Sequence, residues 1–305
     1  MRSTASSATP RADTRPGAIP DRARLDGPSR PLDPRVNAYR KDVADIKLAG
    51  TLFAPHYAAP SRRRLMAPFA SLHAAPSSDS IAVSQLLRGE EFDVFDIVSG
   101  WAWGRCAHDD YVGYLPADLL AQMPAAATHR IAVPTALVFA RPDIKAPVIA
   151  RWPIGARFAG TENGSFLESE AGFVHRRHAL PIGARRDLIE TATSLIGQPY
   201  LWGGRGGGGI DCSGLVQVAC AFAGLDCPRD SDMQREGLGR ALAQDEQAGT
   251  GDAIFFPGHV GLMLDGSRLL HANAFAMAVT IEPLVDVVAR LDQEPAPILA
   301  RRRIA

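Results

Sequence analysis

One cysteine and two histidines have the residue types and the spacing that nucleophilic catalysis needs. Cys212 follows a glycine-rich stretch and Asp211, and an apolar pattern with helical spacing begins directly after it. The amide groups and dipole of a helix N-terminus favour a thiolate, and Asp211 is suited to cap such a helix. His259 and His271 follow on two short apolar segments. The set predicts a cysteine nucleophile with a histidine base.

The size of the required pKa change shows why this cysteine needs a histidine. Lowering a thiol pKa from ~8.5 to ~3.5, as in His-paired thiolates, corresponds to roughly 7 kcal/mol. A helix N-terminus contributes only ~0.3–2 kcal/mol. We therefore expect His259 to supply most of the shift as an imidazolium, and His271 to hold its ring in one tautomer. A neutral histidine stabilises the imidazolium less than a carboxylate would.

A predicted β-hairpin brings the two histidines together. Asp265-Gly266, between two apolar segments, is a strong hairpin signal. Pairings that turn around it put the partner of His259 at positions 271–274, and a three-residue loop sets His259 directly opposite His271. A register shift of two residues keeps both side chains on one face of the sheet.

Two other interpretations of these residues stay open at this point. Cys212 is also compatible with a small buried apolar residue, as many free cysteines are. A zinc site built on Cys212, His259 and His271 would lack a fourth ligand, so neither a metal nor another cofactor is expected. The remaining cysteines form no Cys-x-x-Cys pair and are expected to be structural: Cys106, Cys220 and Cys227.

Composition limits the class of protein. The 305 residues are 46% hydrophobic with a formal net charge of +0, which suits two or three domains and argues against a nucleic-acid partner. Residues 1–45 are rich in Ser, Ala, Pro and Arg and are predicted to be a disordered tail, or alternatively a nucleic-acid-binding arm, followed by a linker at 46–64. The chain shows neither a transmembrane run nor the apolar core of a signal peptide. We therefore expect a cytoplasmic protein with reduced thiols and no membrane insertion.

An internal repeat occupies the middle of the chain. The first copy contains Leu72, Ala74, Pro76, Gly89 and Phe92, and 66 residues later stand Val138, Ala140, Pro142, Gly155 and Phe158. Each copy consists of short strand-like segments separated by Pro, Gly and Ser. Two copies are too few for a solenoid, so the repeat predicts two small β-barrels at about 65–124 and 128–182.

The pattern changes in residues 184–305, where helical and strand-like segments both occur. One helix is predicted from Leu188 to the stop at Gly197, and a second from Cys212 to Gly224. Ser231 and Gln234 have the spacing of a capping box and indicate a third helix start. The predicted fold class is α+β, with helices packed on an antiparallel sheet and two small β-barrels before it.

At these residues the sequence resembles the NlpC-type cysteine peptidases, a papain-like group that acts on cell walls. The matching motifs cover about 184–283 and are Tyr200-x-Trp202-Gly203-Gly204, Asp211-Cys212-Ser213-Gly214-Leu215-Val216, Arg229-Asp230-Ser231-x-x-Gln234, Gly251-Asp252, Gly258-His259-Val260-Gly261 and Leu270-His271-Ala272. The resemblance implies hydrolysis of the bond between γ-D-glutamate and the diamino acid of peptidoglycan stem peptides. It also implies Cys212 as nucleophile, His259 as base, His271 as orienting residue and Tyr200 near the developing oxyanion.

The two predicted barrels resemble bacterial SH3-like domains, mainly through the Gly-Trp-x-Trp strand and the segment 111–115 of the first copy. Two such domains before this catalytic domain resemble the subgroup that trims recycled, free muropeptides such as L-Ala-γ-D-Glu-diaminopimelate. In that subgroup the first barrel closes one end of the cleft, and an Asp-Ser pair contacts the free amine of the substrate. The resemblance thus implies several substrate-binding residues: Asp230, Ser231, Trp202, Asp211, Ser213 and Tyr111, with Tyr114 as the alternative to Tyr111.

Two alternatives from other functional classes remain. A peptidase domain without activity would leave a module that only binds wall fragments through its SH3-like domains. The same catalytic set can also attack other acyl groups, which would make the protein an amidase or an acyltransferase.

Overall fold

The computed structural model describes residues 31–122, 125–291 and 297–304. Most of the predicted tail, residues 1–30, lies outside the described residues. We call residues 33–58 the arm. It contains two parallel strands, β1 (Val43–Asp45) and β2 (His56–Ala58), with a 3₁₀ helix at Ile46–Leu48 between them. Ala38 and Val43 of the arm are buried against Phe95 and Trp103 of the next sheet. Residues 33–45 are therefore folded, contrary to the expected disorder, because their apolar side chains have a surface to pack on.

The first β-domain is a seven-stranded sheet, with strand order β5-β4-β8-β7-β6-β3-β9. Its strands are β3 (Ser61–Leu65), β4 (Phe69–His73), β5 (Ala82–Leu87), β6 (Glu91–Val98), β7 (Trp101–Cys106), β8 (Val112–Pro116) and β9 (Leu120–Ala121), with a 3₁₀ helix at Ala117–Leu119. Leu65, Leu72, Phe92 and Leu115 lie in its core. Since β3 pairs with both β6 and β9, the domain begins near residue 61, within the predicted linker.

The second β-rich segment has its own core around Trp152 and Phe158. Its strands form a five-stranded sheet, β12-β11-β16-β15-β14, and a three-stranded sheet, β13-β10-β17. They are β10 (His129–Ile131), β11 (Thr135–Phe139), β12 (Val148–Pro153), β13 (Arg157–Phe158), β14 (Thr161–Asn163), β15 (Phe166–Ser169), β16 (Gly172–His175) and β17 (Ala179–Pro181), with a 3₁₀ helix at Arg176–His178. Its assignment as a second SH3-like barrel stays a prediction.

The C-terminal region combines short helices with a six-stranded antiparallel sheet of order β18-β23-β19-β20-β21-β22. Its elements are α1 (Leu188–Thr193), α2 (Cys212–Ala223), α3 (Ser231–Gly237), β18 (Arg240–Ala241), β19 (Ala253–Phe256), β20 (His259–Met263), β21 (Arg268–Asn273), β22 (Ala278–Pro283), α4 (Leu284–Arg290) and β23 (Ala300–Arg303). Among the described residues, none of the helices has the length and apolar character that a membrane crossing requires.

Helix α2 is the buried element that carries the cysteine. Its predicted ends are confirmed: Asp211 caps the N-terminus, and Gly224 ends the helix at φ 76°, a left-handed conformation that glycine adopts without strain. Leu215 of α2 shares one hydrophobic core with Val260 of β20 and Leu270 of β21. Burying each such side chain contributes about 1.5–3 kcal/mol, so this packing fixes the cysteine against the strands that carry the histidines.

Candidate active site

Cys212 is the first residue of α2 and is only 7% exposed. The backbone amides of Val260 and Ser213 donate hydrogen bonds to its sulfur. Val260 directly follows His259 in the chain, so the start of β20 touches the thiol. The fold thus brings the cysteine to the strand that carries the first predicted histidine.

The turn before Cys212 is held by a buried carboxylate. Asp211 accepts hydrogen bonds from the amides of Gly214 at 2.7 Å and Gly203 at 2.8 Å. Arg229, which is 1% exposed, adds two more at 2.6 and 3.0 Å. Arg229 also donates to the Ser84 hydroxyl of the first β-domain at 3.0 Å. These donors engage both oxygens of Asp211, which also lines the cleft, and its contact with substrate stays a prediction.

The hairpin places the histidines diagonally. Strand β20 pairs with β21 through Leu262 opposite Leu270 and Met263 opposite Leu269. Continued along the strands, this register sets His259 opposite residue 273, two positions beyond the predicted partner. His271 nevertheless lies on the same face, since side chains alternate with a period of two, and its Nδ1 is 2.8 Å from Nε2 of His259.

A carboxylate that sequence reasoning missed stands behind His271. Glu282 of β22 accepts from Nε2 of His271 at 3.0 Å, and its other oxygen pairs with Arg290 at 2.9 Å. A proton on Nε2 of His271 leaves Nδ1 to accept from Nε2–H of His259, so Nδ1 of His259 carries a free lone pair. The signal in the sequence was a single charged residue in the strand that follows the histidine hairpin.

The surroundings of Cys212 and His259 favour the uncharged thiol and the uncharged imidazole. Burial raises the pKa of the Cys212 thiol to about 11, and the Asp211 carboxylate adds to this increase. Burial, followed by the neighbouring His271, lowers the pKa of His259 to about 3. Burial thus opposes both charged forms, and the expected pair of imidazolium and thiolate stays a prediction.

A cleft of about 350 Å³ opens beside Cys212. Tyr200 lines it, and burial together with Cys212 raises the pKa of this phenol to about 12, which keeps its O–H as a hydrogen-bond donor. Trp202 also lines the cleft and is 65% exposed, so a large aromatic face is available to a ligand. Ser213 and Ser231 lie on the wall, although the Ser213 hydroxyl accepts from Arg229 at 2.8 Å.

Asp230 stands at the end of the cleft that faces the first β-domain. It occupies the N-cap position of α3, yet its side chain makes no capping hydrogen bond. Its Oδ2 instead accepts from the Tyr111 hydroxyl at 2.8 Å and from Arg35 of the arm at 2.8 Å. Tyr111, and not the alternative Tyr114, lines the cleft, whereas Tyr114 contacts Arg40. Arg35 was missed by sequence reasoning because it falls in the predicted tail.

The first β-domain is joined to the catalytic region by a buried polar network. Arg205 forms a bidentate ion pair with Glu90 at 2.7 and 3.1 Å. Its Nε donates to Gln217 of α2 at 2.6 Å, and its backbone amide donates to Gln85 of β5 at 2.8 Å. Both charged side chains are 4% exposed or less, so the ion pair is buried.

Among the residues that the structure describes, one group holds possible metal-ligand atoms within 4.8 Å of one another: Cys106, His108 and Asp109. This group lies at the turn after β7, outside the residues that line the cleft. Asp109 already accepts from Gln217 of α2 at 2.8 Å and lies near the Arg205 guanidinium. We assign it to the contact between the β-domain and α2, because the nearby positive charge opposes a metal cation.

Cys212 at the start of α2 contacts the strand that begins with His259, and His259 pairs with His271 on the antiparallel sheet. A thiol and a histidine pair carried by neighbouring elements are the groups that a cysteine nucleophile requires. Residues 197–289 match the model of the NlpC/P60 family, and residues 72–120 match the model described as a bacterial dipeptidyl-peptidase SH3 domain. These two matches relate the C-terminal region of the chain to the NlpC/P60 family and the region before it to bacterial SH3 domains.

Relatives and a solved structure agree with this assignment. The gamma-D-glutamyl-L-lysine dipeptidyl-peptidase of Bacillus subtilis (strain 168) is 32% identical over 142 residues, which cover 42% of this chain and 47% of that protein. The enzyme of the same name from Bacillus cereus (strain ATCC 10987 / NRS 248) is 26% identical, over 66% of this chain and 70% of that protein. The chain thus spans about half the length of the first relative. A crystal structure of an NlpC/P60 family protein from Bacillus cereus ATCC 10987 shares the fold, with a TM-score of 0.67 at 20% identity over 80% of this chain and 99% of that chain.

Proposed function

We propose that this protein is a cysteine endopeptidase that hydrolyses the bond between γ-D-glutamate and the diamino acid of peptidoglycan stem peptides. One observation carries the proposal: a single cleft has Cys212 in its wall and Asp230 with Tyr111 at one end. A peptide of the type L-Ala-γ-D-Glu-diaminopimelate has an ammonium group two residues before the scissile bond, which suits a carboxylate at that end. Two relatives are gamma-D-glutamyl-L-lysine dipeptidyl-peptidases, which supports the same class of bond.

In the first step, Sγ of Cys212 attacks the γ-carbonyl carbon of the D-glutamyl residue and its proton passes to Nδ1 of His259. A neutral base with a free lone pair suits this transfer, and His271 with Glu282 behind it stabilises the imidazolium that forms. The backbone N–H of Cys212 and the Tyr200 hydroxyl are the proposed donors to the oxyanion.

The tetrahedral intermediate collapses when His259 returns the proton to the leaving amine of the diamino acid. The C–N bond breaks, and the D-glutamyl group remains on sulfur as a thioester. A water molecule, deprotonated by His259, then attacks the thioester carbon, and the thiolate leaves and takes back a proton. The products are a dipeptide with a new carboxylate and the free diamino-acid amine.

Asp230 and Tyr111 limit the substrate to short peptides with a free amino group. A charge-assisted hydrogen bond from the ammonium to Asp230 contributes ~1.5–3 kcal/mol, and an acylated amine leaves that carboxylate without this partner. Tyr111 places the SH3 domain across the end of the cleft, where a longer chain would have to pass. Soluble muropeptides have this form, so we include cell-wall recycling and a cytoplasmic location in the proposal.

Hydrolysis of L-Ala-γ-D-Glu-meso-diaminopimelate, free and N-acetylated, tests the proposal in wild type, Asp230→Asn and Cys212→Ala. We expect wild type to prefer the free peptide by ~10²-fold in kcat/KM, and Asp230→Asn to lose most of this preference. Cys212→Ala, the matched control for catalysis, has no nucleophile and should be inactive. Equal cleavage of both peptides would remove the free-amine model, and binding without hydrolysis by wild type would favour the non-catalytic module.

A further inference from the structure

The arm brings Arg35 to the end of the cleft and holds it there through its backbone. The Arg35 carbonyl accepts from the amide of Val112 at 2.7 Å, and Val112 directly follows Tyr111. A turn at the start of the arm is closed by the amides of Val36 and Asn37, which both donate to the Asp33 carbonyl. The position of Arg35 is therefore set by the same segment of the SH3 domain that positions Tyr111.

The guanidinium of Arg35 joins three carboxylates. It contacts Asp230 at 2.8 Å, Asp232 at 2.9 and 3.0 Å, and Asp33 at 2.8 Å. The hydrogen bonds that Arg35 donates to Asp232 and Asp33 raise the pKa of its guanidinium above the usual value, so it stays charged at every relevant pH. Only a planar group with several N–H donors serves so many oxygens at once.

We propose that Arg35 is a positioning residue that sets the specificity for a free amino group, an inference that rests on the proposed function. Arg35 and the Tyr111 hydroxyl both donate to Oδ2 of Asp230. Two donors on one oxygen fix the rotation of the carboxylate, and neither of them contacts Oδ1. That oxygen is the acceptor for the substrate ammonium.

The charge balance of this group supports the same role. Four carboxylates, of Asp33, Asp211, Asp230 and Asp232, lie at the cleft or on Arg35, together with three guanidinium groups, of Arg35, Arg229 and Arg235. The group keeps a net negative charge, so the cleft still attracts a cation. Without Arg35, the carboxylates repel one another at short range, and Asp230 turns toward solvent. Arg35 therefore orders the site without neutralising it.

The alternative is that Arg35 only attaches the arm to the rest of the protein. Its ion pairs are partly exposed, with side-chain exposures of 37% for Arg35 and 50% for Asp232. Such pairs contribute little to stability, so an effect on KM is separable from an effect on folding. Arg40 is the matched control, since it lies in the same arm and pairs with Asp42 and Asp96 but has no contact with Asp230.

The test compares Arg35→Gln, Arg35→Lys and Arg40→Gln with wild type on the free and N-acetylated tripeptides, with Tm measured for each. We expect Arg35→Gln to raise KM for the free peptide about tenfold, with kcat within about threefold, and to lower the preference for the free amine by a similar factor. Arg35→Lys keeps the charge but not the fork and should lie between. Arg40→Gln should keep the KM and the preference of wild type.

Each outcome decides between the two roles. Arg35→Gln with an unchanged KM and preference, or with the same loss as Arg40→Gln, overturns the inference and leaves Arg35 as an anchor of the arm. If Arg35→Gln does not fold, an unchanged preference in Arg35→Lys overturns it equally. A wild type that cleaves neither peptide contradicts the proposed function, and one that cleaves both alike removes the free-amine model on which the role of Arg35 rests. A preference in wild type that survives in Arg35→Gln contradicts only the role of Arg35.

Discussion

Replacing Glu90 by Gln removes one charge from the buried network that joins the SH3 domain to the catalytic domain. Glu90 lies between β5 and β6, and its Oε2 also accepts from the amide of Leu87 at 2.9 Å. The glutamine retains an acceptor for that amide. It leaves Arg205, whose side chain is 3% exposed, without its charged partner.

Two independent arguments give the same size of effect. Burial raises the pKa of Glu90, but the Arg205 guanidinium outweighs it and lowers the value from 4.5 to about 2. That difference corresponds to about 3 kcal/mol of stability, which is present at pH 7, above the unfolded pKa, and is lost as pH falls toward the folded value. Breaking a buried ion pair by removing one partner costs ~3–5 kcal/mol. We expect Glu90→Gln to lower the free energy of unfolding by about 3 kcal/mol.

Urea unfolding at pH 7, followed by tryptophan fluorescence and circular dichroism, measures this change. The matched control is Glu91→Gln, the same substitution one residue later, where the carboxylate is 28% exposed and contacts Arg62 and Arg64 only at 3.3 Å. The control should lose less than about 1 kcal/mol. A loss in Glu90→Gln no larger than that in Glu91→Gln would refute the argument that burial makes this pair important.

Two further predictions concern the histidine chain. Glu282→Gln should lower kcat by about tenfold or more and leave KM nearly unchanged, because a neutral amide stabilises the imidazolium less than a carboxylate does. Steady-state kinetics measures this change, and an unchanged kcat would show that His271 acts without the Glu282 carboxylate. Since the folded pKa of His259 is about 3, the folded protein loses stability as pH falls below the unfolded value near 6.5. Between pH 7.5 and 5.5, wild type should lose about 1.4 kcal/mol more than His259→Gln in urea unfolding, and equal losses would contradict the low pKa.

Local sequence signals were sufficient to predict the helix that begins with Cys212 and the hairpin that carries His259 and His271. Helix α2 begins and ends where predicted, because an aspartate cap and a glycine stop act within a few residues of the chain. The hairpin around Asp265-Gly266 is likewise confirmed, since the Asp265 side chain accepts from the amides of Ser267 and Arg268. The strand register differs by two residues from the pairing of His259 with His271. Because side chains alternate with a period of two, both histidines still lie on one face of the sheet.

The surroundings of the site depended on contacts between distant parts of the chain. Arg35 and Asp230 are 195 positions apart, Glu90 and Arg205 are 115 apart, and Ser84 and Arg229 are 145 apart. No periodicity or turn signal links such residues, because each pair forms only when two domains bury a shared surface. The sequence by itself was enough to predict the candidate nucleophile, the two histidines and the elements on which they lie. The tertiary structure alone decided which charged groups are buried together. It therefore decided that His271 has a carboxylate behind it, that burial raises the pKa of Cys212 and lowers that of His259, and that the arm contributes Arg35 to the end of the cleft.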